Sequence, residues 1–308
     1  MCGIVGLHLR NPDLQPRLGE LLTGMLCEMQ DRGPDSAGVA VYGDPRWSPE
    51  GTVTVSFVPE ATNLELTSGI EVEDAAAALT AIVGSPVGVI DAGPTLVTHV
   101  AVEVGAEALR NAITAAYPDS IIAGFGEHLA VLKGVGHPTA LAEAYGLPRA
   151  QGWQGVGHTR MATESAIVPG GCHPYAVGPD QCLVHNGSFH NFASIRRDLR
   201  AKGIVFNSEN DTEVGAWFVA DRLAAGLSVE TALKELLDTF DGFYTLLVSN
   251  SDSFAVVRDA IACKPAIIAE HEDWVAMASE YRALVELPGI TKAHVYEPEP
   301  ERIYAWTR

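Results

Sequence analysis

Basic residues are scarce: 20 Lys and Arg stand against 39 Asp and Glu, a formal charge of −19 over 308 residues. Nucleic acid and anionic membrane surfaces need clustered cations to neutralise phosphates, so this imbalance argues against both as partners. No apolar run reaches the ~18 residues of a membrane-spanning helix, and the start lacks the basic and apolar regions of a secretory signal. No C-x-x-C pair occurs; the five cysteines, Cys2, Cys27, Cys172, Cys182 and Cys263, are odd in number and scattered. Free thiols in a reducing compartment follow, and the expected location is the cytoplasm. Internal repeats and low-complexity segments are also missing. His158 and His173 match no common zinc spacing, so no metal is expected.

What is present is a globular composition, 47% hydrophobic and 19% charged, in a chain long enough for one large domain or two ordinary ones. Residues 3–9 read as a short buried strand. Leu18, Leu21, Leu22, Met25, Leu26 and Met29 recur at helical spacing within 15–30, and the polar turn Asp31-Arg32-Gly33-Pro34-Asp35 stops that helix before a strand at 37–42. Past the proline-bounded turn Pro45–Pro49 the pattern gives a strand at 52–58, an alanine-rich helix at 72–83 and a strand at 95–102. A helix at 106–117, a strand at 120–133 and a short helix at 139–145 complete this part. The stretch 48–150 carries no cluster of catalytic residue types and has the size of a small inserted α+β domain. Strands at 155–159 and 181–185 and helices at 192–202 and 212–225 follow. The last third alternates strand patterns, among them 243–249, 254–258 and 266–269, with turns.

The chemistry-bearing residues fall at the chain start and at three glycine-bearing or helix-starting turns. Cys2 follows Met1 directly; once Met1 is removed, its thiol lies beside a free α-amine with an ordinary pKa of about 7.7–8.0, so nucleophile and base belong to one residue. The other reading is a thiol packed in an N-terminal strand as a small hydrophobe. In Gly157–Thr163, Arg160 could clamp a carboxylate with a bidentate fork or could form a surface ion pair. In the segment from Val184 to Phe189, Asn186 and Gly187 offer two adjacent neutral donors of the kind an oxyanion needs, but Asn-Gly is also a favoured hairpin turn. In Glu209–Val214, Asp211 or Thr212 could be a helix N-cap, and a carboxylate there could equally receive a substrate ammonium.

Taken together, Cys2, the segment Arg32–Gly38, Gly157–Thr163, Asn186-Gly187 and Asp211–Glu213 resemble the class II glutamine amidotransferases of the N-terminal-nucleophile hydrolase superfamily. Val257-Arg258-Asp259, Lys264-Pro265 and Ala278-Ser279-Glu280 extend the likeness into the last third. The resemblance implies an α+β fold, a four-layer αββα sandwich built from 1–47 and 151–308, with 48–150 inserted. It further implies Cys2 as nucleophile, Asn186 and Gly187 as the oxyanion hole, Arg160 on the substrate α-carboxylate and Asp211 on its α-ammonium. Thr163 resembles the binding-loop threonine, and Arg32 a residue that steadies the nucleophile loop. Met161, an expected substrate-binding residue, stands where many relatives carry an aromatic residue, and Glu164 stands where some carry histidine. His158 and His173 are read as structural, with His173-Pro174 shaping the neighbouring loop.

The chain ends at Arg308, soon after the glutaminase fold should close, so the ammonia acceptor is expected on another subunit. A stand-alone chain with an insertion near residue 50 resembles the amidotransferase subunits of glutamate-synthase-like complexes, including those of N-methylglutamate synthase. That resemblance implies glutamine or a γ-glutamylamide as substrate, no cofactor in this chain, FMN on a glutamate-synthase-like partner, and a second accessory subunit. Two other classes stay open: a free-standing γ-glutamyl amidohydrolase, and a non-catalytic glutamine-binding regulatory subunit.

Overall fold

Alternation of side chains decides the architecture, because the principal strands are buried on both faces and each face meets a different layer. A computed structural model describes residues 2–162 and 166–308, so Met1, Thr163, Glu164 and Ser165 lie outside the described residues. The first elements are β1 (Gly3–Leu9), α1 (Leu18–Cys27), β2 (Ser36–Tyr42), β3 (Thr52–Val58) and α2 (Val72–Val83). Next come β4 (Gly88–Ala92), β5 (Thr95–Ala101), α3 (Ala106–Ala116), β6 (Ile121–Gly126), β7 (Leu129–Val135) and α4 (Pro138–Ala144). The remainder comprises β8 (Gln154–Arg160), β9 (Gln181–Phe189), α5 (Phe192–Ala201), α6 (Asp211–Ala224), α7 (Val229–Thr239), β10 (Gly242–Asn250), β11 (Ser253–Arg258), β12 (Ile267–Glu270), β13 (Trp274–Ala278), β14 (His294–Tyr296) and β15 (Tyr304–Thr307).

Among the described residues the strands form three sheets: β14-β12-β13-β1-β8-β2-β7, β15-β11-β10-β9, and β4-β5-β3-β6. On β1, Val5, Leu7 and Leu9 pack with α1 through Leu18, Leu22 and Leu26, whereas Ile4 faces the other way, onto Val184, Leu247 and Phe254 of the second sheet. The second sheet repeats the division. Leu183, Leu246, Val248 and Val257 turn outward onto α5, α6 and α7, which contribute Ile195, Val219 and Leu233. The order of layers is therefore helix, sheet, sheet, helix. The two sheets approach closely at Gly6, where a Cβ would stand 2.5 Å from Leu247 Cδ1 and 2.8 Å from the Phe254 ring. Each fully buried Val, Leu or Phe in these layers contributes roughly 1.5–3 kcal/mol of transfer free energy.

The third sheet has its own core, in which Val53, Val55 and Phe57 of β3 meet Leu79 of α2 and Leu109 and Ile113 of α3. Its opposite face is small and polar and is tied to the large sheet: Val131 N donates to Ser56 Oγ (3.1 Å), and Lys133 N donates to Thr95 Oγ1 (2.9 Å). The sequence pattern predicts one strand over 120–133 inside an insertion that closes at 150. The structure divides that stretch. β6 stays in the small sheet, the chain turns at Glu127-His128, and β7 becomes the edge of the large sheet beside β2. Both turn N–H groups donate to the Asp180 carboxylate, at 3.0 and 2.8 Å. α4 packs through Leu141 and Ala142 into the same core as α1, so the separate sheet spans β3 to β6 and the residues after it rejoin the main layers.

Candidate active site

The phase that sends Ile4 into the space between the sheets sends Cys2 there too, at the end where the apolar filling stops. Three more strands aim polar side chains at the same place by the same rule. β8 places His158 in phase with Val156, β9 places Asn186 in phase with Cys182 and Val184, and β13 leads to Ser279 in phase with Val275 and Met277. All three polar residues are buried, at 1%, 5% and 1% exposure.

Their hydrogen bonds converge on the Cys2 backbone. Asn186 Nδ2 donates to Cys2 O (3.1 Å) and to Ser279 Oγ (3.3 Å), and Arg32 Nε also donates to Cys2 O (2.9 Å). Ser279 Oγ accepts from Ile4 N (2.9 Å), and Ser279 N donates to Ile4 O (2.9 Å), which fixes the start of β1 to the loop after β13. Arg32 is itself anchored by an ion pair with Glu280. The Cys2 thiol points to Met161 O at 3.8 Å.

Gly187 needs to be glycine. Its φ is +140°, and a Cβ would stand 2.0 Å from Phe243 O across the β9–β10 ladder. Leu183, His185 and Phe189 turn their N–H groups to the open edge of β9, donating to Tyr175 O (2.9 Å), His173 Nδ1 (3.3 Å) and Asp211 Oδ2 (2.8 Å). Gly187 is in the same phase, so its N–H is presented on that edge beside Asn186.

Asp211 is the first residue of α6, and the cap is the residue before it: Asn210 Oδ1 accepts from Thr212 N at 2.8 Å. The sequence offers Asp211 or Thr212 as the cap; the Asx-type side chain one position earlier takes it. Glu213 is buried and accepts from Asn207 N, Ser208 N and Ser208 Oγ, holding the loop before α6. The loop after β8 is held by Asp35, whose Oδ2 accepts from Ala162 N (2.8 Å) and whose N donates to Arg160 O (3.1 Å). Arg160 is 6% exposed and donates through Nη1 to Ala166 O at 3.4 Å.

One cavity of about 1250 Å³ is lined by Cys2, Arg32, Arg160, Met161, Asn186 and Gly187, with Asp211 on the same wall. Thr163 lies outside the described residues. The small sheet's side also contributes, through Arg110 and Thr114 of α3 and Pro118–Ile121.

Three buried histidines line the same cavity. His158 Nε2 lies 3.0 Å from Asn186 Oδ1, and the His158 ring stacks on His173 with centroids 4.1 Å apart. His185 Nδ1 meets Thr212 Oγ1 at 2.9 Å. Burial lowers His158 to about 3, against a smaller opposing effect of its bond to Asn186. Burial likewise lowers His185 to about 4, opposed by the Asp211 charge, and lowers His173 well below the ordinary imidazole value. Neutral rings are therefore the rule here at working pH. The sequence reading missed the contact of His158 with Asn186, and also Ser279 as a latch; only the shared phase of β1, β8 and β13 could have signalled them.

The layered fold is shared with an amidotransferase of known structure. Glutamine phosphoribosylpyrophosphate amidotransferase from B. subtilis, complexed with ADP and GMP, aligns at a TM-score of 0.60 and 17% identity over 99% of this chain and 47% of that one. This chain thus spans about half the length of that solved structure. A family profile described as a glutamine amidotransferase domain matches residues 158–286. Glutamine--fructose-6-phosphate aminotransferase [isomerizing] of Thermococcus kodakarensis is 34% identical over 170 residues, 54% of this chain and 28% of that one. The glutamine amidotransferase-like protein GlxB of Rhizobium meliloti (strain 1021) is 43% identical over 309 residues, covering 99% of this chain and 98% of that one. The chain belongs to the class II glutamine amidotransferases. No helix among the described residues is long and apolar enough to cross a membrane.

Proposed function

We propose that this chain is the glutaminase subunit of an amidotransferase complex, with Cys2 as its nucleophile after removal of Met1. The Cys2 sulfur adds to the side-chain amide carbon of glutamine, and the carbonyl electrons move onto oxygen. The thiol proton passes through the α-amine to the departing nitrogen, ammonia leaves, and a γ-glutamyl thioester remains. Water then adds to the thioester, glutamate leaves, and the thiol is restored. Asn186 Nδ2 and Gly187 N–H are the donors for the two oxyanions. Both Nδ2 protons have protein acceptors at rest, and the longer contact, to Ser279 at 3.3 Å, is the one a substrate oxygen displaces. Arg160 takes the α-carboxylate, Asp211 the α-ammonium, and Met161 and Thr163 are assigned to substrate binding; Arg32 holds the Cys2 carbonyl.

The observation that carries this reading is the convergence of Cys2, Asn186 and Gly187 from two facing sheets onto one cavity that also holds a guanidinium and a carboxylate. The cavity extends beyond these residues to Arg110 and Thr114 on the small sheet's side, and a γ-glutamylamide with a substituted nitrogen is kept beside glutamine as substrate. The released ammonia or amine passes to a glutamate-synthase-like partner that carries FMN, with a second accessory subunit, in the cytoplasm. Glutamate release from glutamine and from N-alkyl γ-glutamylamides, measured for wild type and Cys2→Ala, tests the chemistry; release that survives the substitution excludes it. Co-purification that brings down no flavoprotein excludes the complex and leaves a free-standing amidohydrolase.

A further inference from the structure

An asparagine amide can turn half-way about its last bond and exchange its donor and acceptor ends. For Asn186 only one orientation serves an oxyanion. The end 3.1 Å from Cys2 O must be N–H, because a backbone carbonyl only accepts. Oδ1 therefore faces His158 Nε2 at 3.0 Å, and since Oδ1 also only accepts, Nε2 must carry the proton. The bonding pattern thus fixes the tautomer. His158 Nδ1 is then bare, and it makes no hydrogen bond of ordinary geometry among the described residues. The ring is 1% exposed and stacked on His173, so a second proton is disfavoured and the Nε2–H form persists across working pH.

We propose that His158 is a positioning residue that locks the Asn186 amide with its donor end toward the nucleophile. Without the Nε2–H bond, only the Nδ2 contacts to Cys2 O and Ser279 Oγ hold the donor end inward, and the amide turns Oδ1 inward more often. A lone pair then faces the Cys2 carbonyl and the place where negative charge develops, and a stabilising donor becomes a repelling acceptor. A histidine that merely filled space would leave the chemistry untouched when replaced by an apolar side chain of similar size.

The inference rests on Asn186 being an oxyanion donor, and the variants separate the two claims. His158→Leu is expected to lower kcat for glutamine hydrolysis by about 10–100-fold, part of the loss that follows removal of an oxyanion donor outright, with KM within about twofold. His158→Gln, whose amide N–H can reach the same oxygen, is expected to recover most of the rate. In an Asn186→Ala background, His158→Leu should cost nothing further. An equal loss of kcat in both backgrounds, or full activity of His158→Leu beside an impaired Asn186→Ala, overturns the proposal. Full activity of Asn186→Ala itself overturns the oxyanion assignment instead. Nitrogen-15 NMR of histidine-labelled wild-type protein needs no variant to fold: the Nε2–H tautomer is expected from pH 5 to 8, and an Nδ1–H tautomer for His158 overturns the proposal.

Discussion

Asn186→Ala separates a transition-state donor from a ground-state binding residue. The substitution removes the Nδ2 contacts to Cys2 O at 3.1 Å and Ser279 Oγ at 3.3 Å and deletes the acceptor 3.0 Å from His158 Nε2. Loss of one oxyanion donor lowers turnover by about 10²–10³, equivalent to roughly 3–4 kcal/mol. Because the oxyanion exists only during reaction, KM for glutamine should stay within about twofold while kcat and kcat/KM fall together. The folded state also loses a partner for a buried N–H, which costs about 1–3 kcal/mol. At roughly 2–4 °C per kcal/mol for chains of about 150–250 residues, the unfolding midpoint should drop by several degrees. The assay is glutamate release under saturating glutamine, with thermal unfolding run in parallel. A variant whose KM rises tenfold at unchanged kcat would show that Asn186 binds the ground state and would refute the oxyanion reading.

Arg160→Lys keeps a positive charge but loses the fork that matches a carboxylate. KM for glutamine should rise by about 10–100-fold with a smaller change in kcat, and steady-state kinetics that show unchanged KM would remove Arg160 from the substrate carboxylate. Acid should destabilise the fold below the ordinary imidazole pKa of about 6.5, because His158 and His185 are held near 3 and 4 and His173 is also lowered, so the unfolded chain binds more protons in this range. Each ring makes stability fall by up to about 1.4 kcal/mol per pH unit between 6.5 and its folded value. Thermal unfolding from pH 7.5 to 5 should report that slope, and a midpoint flat across this range would contradict neutral burial of the three rings.

Much of the fold was legible because its signals are local. The helix 72–83 is observed as Val72–Val83, since an alanine-rich amphipathic run ending at Gly84 with φ +74° carries both its period and its stop. The strand 52–58 alternates Val, Thr, Val, Ser, Phe and matches β3 in full. What failed was information held between elements. The stretch 120–133 is continuously strand-like, and nothing in its hydrophobicity says that β6 and β7 belong to different sheets; Asp180, more than 50 residues later, fastens the turn between them. The sequence pattern gives no helix at 229–239, although Ser228 caps α7 by accepting from Thr231 N at 3.1 Å. β4 is short and half-buried, so its pattern was too weak to separate from a loop. At the site, the spacing of Cys2, Arg160, Asn186 and Asp211 carried no geometry of its own; antiparallel packing of two sheets brings them together. His158 illustrates the limit most clearly, because a histidine on a buried strand face has the same sequence signature whether it fills space or orients an amide.

Intact mass spectrometry of the native protein after treatment with a diazoketone analogue of glutamine tests the nucleophile directly. A single adduct on a chain that has lost Met1, mapping to Cys2 and absent from Cys2→Ala, is the expected result. An unlabelled Cys2, or an adduct that persists in Cys2→Ala at one of the other four cysteines, would contradict the mechanism.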